Sequence, residues 1–302
     1  MLSPTSLLLR LLIASIAVAL AQSFFSYSHD GEWVRSAEPD RDCVDHFMCT
    51  PSNYTFNSSD PRFVNYYAKN ACTQLISRGI KRINFHGDSF MRQMYSAMLI
   101  TLSGNYRNGS LISSTGCEFH KQFNDKKCGV HNLNHHGLVC GGEVVLDPVL
   151  TGIDNLNLCL KDNKTVILWS FGNYKTTRYG RHGVNNATAY SELFLNGPCP
   201  LIRENVNNLC SVWWVSTHFR LRAIYPDEVE GMVKNYNIGM RQFYESGSCG
   251  PVNYVDVYNM TAGLAKGHRK DSESMTYDMV HWGMEVNLIK AQIILNAILQ
   301  HL

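Results

Sequence analysis

Lys81-Arg82-Ile83-Asn84-Phe85-His86-Gly87-Asp88-Ser89-Phe90-Met91-Arg92-Gln93 is the stretch on which the fold turns. Arg82 to Phe85 is a short apolar run with strand character. Phe90 to Leu102 then shows helical spacing, with Met91, Met94, Tyr95, Met98 and Leu99 forming a broad apolar face. Between them the chain has only His86, Gly87, Asp88 and Ser89 in which to turn. A strand feeding directly into a helix is one half of a βαβ unit, and the serine stands at the turn. Ser89 and Asp88 are both good N-cap residues, so a plain helix cap is one reading. A nucleophile at a helix N-terminus, where backbone N–H groups favour a developing oxyanion, is the other.

The rest of the chain repeats the alternation. Arg62 to Arg78 has helical spacing through Phe63, Tyr66, Cys72, Leu75 and Ile76. Leu138 to Leu146 holds strand character, and Thr165 to Ser170, Ser211 to Ser216 and Val252 to Tyr258 are β-like runs. Pro226 opens a predicted helix through Val229, Met232, Val233, Ile238 and Phe243, and Glu285 to Leu299 is predicted as a final amphipathic helix. Asn105 to Asp147 is loop-rich. Strands separated by helices argue for a parallel sheet covered on both faces, with ligands at the carboxyl ends of its strands.

A partner for Ser89 stands near the other end of the chain, in Tyr277-Asp278-Met279-Val280-His281-Trp282. A serine hydroxyl needs a base, and an imidazole needs a carboxylate to fix its tautomer. His281 and Asp278, three residues apart, have the spacing to face the same side of a turn. A local Asp cap with a neighbouring histidine is the bland alternative. Asn173, after Gly172 in Trp169-Ser170-Phe171-Gly172-Asn173, is either an oxyanion donor or a Gly-Asn turn. Arg92, one turn into the helix, is either a brace for the site or a surface charge. Trp282 reads as core, and His86 and His218 as packed or hydrogen-bonded histidines beside strands. His131, His135 and His136 cluster in a Gly- and Asn-rich loop, so no metal site is expected.

Composition sets the compartment. The chain has 302 residues, 45% hydrophobic and 17% charged, with a formal net charge of +2 that includes Arg10. Removing that residue leaves a value near +1, which gives no electrostatic case for nucleic acid or an anionic membrane. Residues 1–21 read as a secretory signal: Arg10, the apolar run Leu11 to Leu20, and Ala19-Leu20-Ala21 before Gln22. An uncleaved anchor is the rival reading, but the run is short for a bilayer. All ten cysteines follow the signal, which predicts up to five disulfides and no C-x-x-C metal or redox motif. Six N-x-S/T acceptors, at Asn53, Asn57, Asn108, Asn163, Asn186 and Asn259, fit the same secretory route, extracellular or in the Golgi lumen. Asn53 and Asn57 are expected in an exposed loop. The organisation expected is signal 1–21, a turn-rich cysteine-containing segment 22–60, and a catalytic domain 61–302.

The G-D-S and D-x-x-H-W blocks resemble those of the PC-esterase group of the SGNH/GDSL hydrolases, and most of all the plant trichome-birefringence-like polysaccharide O-acetyltransferases. Gly31-Glu32-Trp33-Val34 is similar to their N-terminal segment. The likeness is confined to these short blocks. It departs where the plant proteins flank D-x-x-H with cysteines, since Tyr277, Met279 and Gly283 stand here. The resemblance implies a disulfide-stabilised, three-layer α/β/α sandwich with a mostly parallel central sheet. It implies Ser89 as nucleophile, His281 as base and Asp278 as its partner. Gly87, Asp88, Gly172, Asn173 and Arg92 would surround the oxyanion and substrate. The expected activity is O-acetyl transfer to, or removal from, carbohydrate, with an acetyl donor as co-substrate and no bound cofactor. A non-catalytic secreted glycoprotein binding carbohydrate or protein is the alternative from another class.

Overall fold

The structure is a computed structural model that describes residues 26–28, 31–35, 54–113, 116–123, 128, 133–148, 164–170, 195–196, 198–205, 210–222, 231–268 and 275–302. Nine strands are described: β1 (Ser26–Ser28), β2 (Gly31–Arg35), β3 (Tyr54–Ser58), β4 (Ile80–Gly87), β5 (Leu138–Val139), β6 (Val144–Asp147), β7 (Lys164–Ser170), β8 (Cys210–Val215) and β9 (Val252–Asp256). The described helices are α1 (Ala68–Ser77), α2 (Ser89–Ser103), α3 (Pro198–Asn205), α4 (Met232–Glu245), α5 (Tyr258–Gly267) and α6 (Met284–His301).

Seven strands form one sheet in the order β1-β9-β8-β7-β4-β6-β5. Every pairing is parallel except the short β5–β6 hairpin. The period of two along a strand sorts the core into two layers. Val166, Leu168, Trp213, Val215 and Val255 face one side, against α1, α2 and α6. Ile167, Trp169, Val212, Trp214 and Tyr254 face the other, against Ile202 of α3 and Tyr236, Met240 and Tyr244 of α4. The central strands are buried on both faces, as a parallel sheet requires. The fold is therefore the expected three-layer α/β/α sandwich. Among the described residues three disulfides staple it: Cys72–Cys140, Cys117–Cys128 and Cys199–Cys249.

Several elements differ from the sequence reading. The helix expected from Arg62 begins only at Ala68. Residues before it are held extended by side-chain amides on one face of α6. Gln292 accepts from the Tyr66 N–H at 2.6 Å and donates to the Tyr66 carbonyl at 2.9 Å. Asn296 does the same to Val64, both at 2.9 Å, and Gln300 donates to the Arg62 carbonyl at 3.2 Å. Amides spaced i, i+4, i+8 thus serve this segment as a neighbouring strand would.

The final helix is not amphipathic: it is buried continuously from Met284 to Leu299, packed against α2 and α1. Pro226 and Val229 lie outside the described residues. α4 begins at Met232, with Gly231 in a left-handed backbone (φ 83°) at its N-cap. The lead-in expected to be turn-rich carries three strands. β1 pairs with β9 at the edge of the main sheet, and β2 and β3 form a small antiparallel sheet. Trp33 anchors that small sheet by donating its indole N–H to the Met260 carbonyl at 3.1 Å. Asn57 is exposed, as expected, but lies on β3 and not in a loop. Residues 1–21 and Asn53, Asn163 and Asn186 lie outside the described residues. No helix among the described residues is long and apolar enough to cross a membrane.

Candidate active site

β4 ends at Gly87 and α2 begins at Ser89, so the serine sits at the carboxyl edge of a central strand and at the N-terminus of a helix. The turn between them leaves no room for a side chain at Gly87. A Cβ there would fall 2.0 Å from the Ser170 carbonyl oxygen of β7 and 2.5 Å from Met91 Cγ. Asp88 is the N-cap: its Oδ1 accepts from the Phe90 N–H at 3.0 Å. The cap and the nucleophile readings are therefore compatible. Asp88 does the capping, and this leaves the Ser89 hydroxyl for other work.

That hydroxyl lies 2.7 Å from His281 Nε2, across 192 residues of sequence. His281 Nδ1 lies 2.8 Å from Asp278 Oδ2. Asp278 Oδ1 also accepts from the backbone N–H groups of Val280 (3.0 Å) and His281 (2.8 Å). One oxygen of Asp278 thus shapes its own turn, and the other holds the ring. Burial is the largest single influence on this carboxyl and pushes its pKa up. The hydrogen bonds and charge of His281, with the Val280 N–H, outweigh it and leave the pKa at about 2. The carboxylate is ionised at any ordinary pH and accepts the Nδ1 proton, so Nε2 is left bare toward Ser89.

The turn carrying Asp278 and His281 precedes α6, and helix α5 lies between it and β9. Met279 adopts a left-handed backbone (φ 63°), uncommon for a side chain of that size. The segment after β8 holds it. Leu221 and Arg222 donate their N–H groups to the Met279 carbonyl at 2.9 and 3.1 Å. Trp282, fully buried as expected, donates its indole N–H to the Phe219 carbonyl at 2.7 Å.

Gly172 and Asn173 lie outside the described residues. Arg92 is half-buried in the first turn of α2, its N–H bonded to the Asp88 carbonyl at 3.1 Å. His135 and His136 are exposed, and His131 is outside the described residues. Of the described sequons, Asn57 and Asn259 are exposed and Asn108 is half-buried. The Asn259 amide donates to Asp256 Oδ2 at 2.7 Å in the first turn of α5.

Sequence reasoning missed two residues beside the site. Arg220 is 7% exposed; burial lowers its pKa to about 10, with the nearby charge of Asp88 acting the other way. Lys290 is wholly buried in α6. A lysine flanked by Leu288, Ile289 and Ala291 in the helix was the available signal.

No family model matches the chain, and no curated protein does. Three solved structures resemble it at low identity. A GDSL-like lipase, so named provisionally, from Parabacteroides merdae is 14% identical with a TM-score of 0.42, over 72% of this chain and 94% of that one. An acetyl xylan esterase from Geobacillus stearothermophilus, in a single-substitution variant, is 15% identical with a TM-score of 0.38, over 72% and 94%. Protein YxiM of Bacillus subtilis is 9% identical with a TM-score of 0.40, over 74% of this chain and 57% of that one. The chain thus spans little more than half of that last protein's length. None of the three is a trichome-birefringence-like protein, so that finer likeness stands on the sequence blocks alone.

Proposed function

We propose that the protein is a serine acyl enzyme of the secretory pathway that transfers or removes O-acetyl groups on carbohydrate. The observation that carries the reading is the chain Ser89 Oγ–His281 Nε2–Asp278 at 2.7 and 2.8 Å. Both distances are within the reach that proton transfer needs.

Ser89 Oγ attacks the acyl carbonyl carbon as its proton passes to His281 Nε2. The carbonyl π pair moves to oxygen, and the backbone N–H of Ser89, at the N-terminus of α2, faces the oxyanion. The tetrahedral species collapses, the C–O bond to the leaving alcohol breaks, and the imidazolium returns its proton to that alcohol. An acetyl-serine remains. A water or sugar hydroxyl then gives its proton to His281 and attacks the acetyl carbon; the bond to Ser89 Oγ breaks, and the imidazolium returns the proton to that oxygen. Asp278 stays ionised throughout and stabilises the imidazolium. Carbohydrate as acceptor, and the lumenal or extracellular setting, rest on the resemblance of the sequence blocks, the sequons and the disulfides.

The test is incubation with an acetylated oligosaccharide and a second, unacetylated one, following both released acetate and transferred acetyl by mass. Turnover of either kind that disappears in Ser89→Ala supports the reading. Turnover equal in both proteins refutes it.

A further inference from the structure

Behind the His281 turn lies a buried polar chain that the proposed chemistry does not use. Lys290 Nζ on α6 is 2.7 Å from His218 Nδ1 and 3.0 Å from Asn287 Oδ1. His218 Nε2 is 2.9 Å from the carbonyl oxygen of Val280, the residue between Met279 and His281. A carbonyl can only accept, so Nε2 carries the ring proton and Nδ1 is the acceptor that Lys290 serves. Asn287 in turn donates to the Trp282 carbonyl at 2.7 Å. The chain therefore grips the turn on both sides of His281. His218 also reaches the serine side. Its ring lies on Phe90, centroids 3.6 Å apart, and Phe90 meets His281 edge-on at 5.5 Å.

Burying these groups is costly. Both His218 and Lys290 are held far toward their neutral forms, first of all by desolvation. An apolar pair of similar volume commonly serves stability as well or better. A buried cation-capable pair aimed at a catalytic turn calls for a role other than stability.

We propose that His218 and Lys290 are positioning residues, which hold the Asp278–His281 turn at hydrogen-bond distance from Ser89 through the Val280 carbonyl. The proposal rests on the reading of Ser89 as nucleophile. Lys290 fixes the tautomer of His218, His218 fixes the Val280 carbonyl, and that carbonyl fixes the ring of the base.

The test compares wild type, Ser89→Ala, His218→Phe, His218→Gln and Lys290→Met. It measures the rate of labelling by a fluorophosphonate, kcat and KM for an aryl acetate, and thermal unfolding. His218→Phe keeps a flat ring against Phe90 and loses the donor to Val280. It is expected to lose about a hundredfold in labelling rate and kcat, with KM within about twofold. His218→Gln, whose terminal amide can stand where Nε2–H stood, is expected to recover most of that loss. Lys290→Met is expected between the two. Wild-type rates in His218→Phe would overturn the proposal, as would His218→Gln falling below it, since packing would then be the whole role. If His218→Phe does not fold, Lys290→Met decides: slower labelling at unchanged KM supports the proposal, and an unchanged rate overturns it. Wild type labelling no faster than Ser89→Ala is a separate outcome, which removes the nucleophile reading and the proposal with it.

Discussion

Asp278 does two jobs with one carboxylate, and its charge state can be followed. Asp278→Asn keeps the shape of the turn but offers an amide to Nδ1, which favours the wrong tautomer. By analogy with the serine-protease triad, kcat should fall by about ten-thousandfold with little change in KM. Its stability has a pH signature. A carboxyl at about 2 in the folded protein, against 3.8 ordinarily, contributes stability above the ordinary value and loses it as the pH falls from 3.8 toward 2. The gap in melting temperature between wild type and Asp278→Asn should therefore close across that window. Glu285 behaves in the opposite sense. Burial raises its pKa from 4.5 to about 7, partly offset by a bond from its own N–H, so it costs stability increasingly as the pH rises from 4.5 to 7. Glu285→Gln should melt higher than wild type at pH 8 and no differently at pH 4, by calorimetry.

At the scale of elements, α6 is the piece whose role the sequence concealed. The sequence reading expected an amphipathic helix, in which Gln292 and Asn296 would be solvated. They are instead buried, each satisfying both backbone groups of an extended residue. Nothing in local periodicity distinguishes a solvated amide from one that substitutes for a strand, because the partner lies 226 or more residues away. Gln292→Leu should cost about 1–3 kcal/mol in urea unfolding, since it strands the N–H and carbonyl of Tyr66. Hydrogen exchange at Tyr66 should rise more than at Val64. The β4–α2 turn was legible for the opposite reason. Strand, glycine, cap and helix follow one another directly, and the cost of any side chain at Gly87 explains why the turn is built that way. The Asp278–His281 pair was legible from its spacing. The Met279 backbone and the His218–Lys290 chain that hold it were not, since they are contacts between distant segments.

At the scale of the whole molecule, a mostly parallel central sheet sets Ser89 at the end of β4, where His281 meets it from 192 residues away. Alternating strands and helices made that architecture readable. The edge strand from residues 26–28 was not, because three residues carry no periodicity. Two of the disulfides close long loops, with sequence separations of 68 for Cys72–Cys140 and 50 for Cys199–Cys249. On a chain-entropy basis each should contribute about 4 kcal/mol. Replacing both members of either pair by alanine should lower the denaturant midpoint accordingly without moving Ser89 from His281.

The most direct measurement is peptide-mapped mass spectrometry after brief exposure of the protein to an activated aryl acetate, with Ser89→Ala and His281→Ala in parallel. An acetyl group on Ser89 in the wild type, absent from both variants, is the predicted result. Acetylation elsewhere that persists in Ser89→Ala, or Ser89 acetylated equally without His281, would contradict the proposed acyl-serine mechanism.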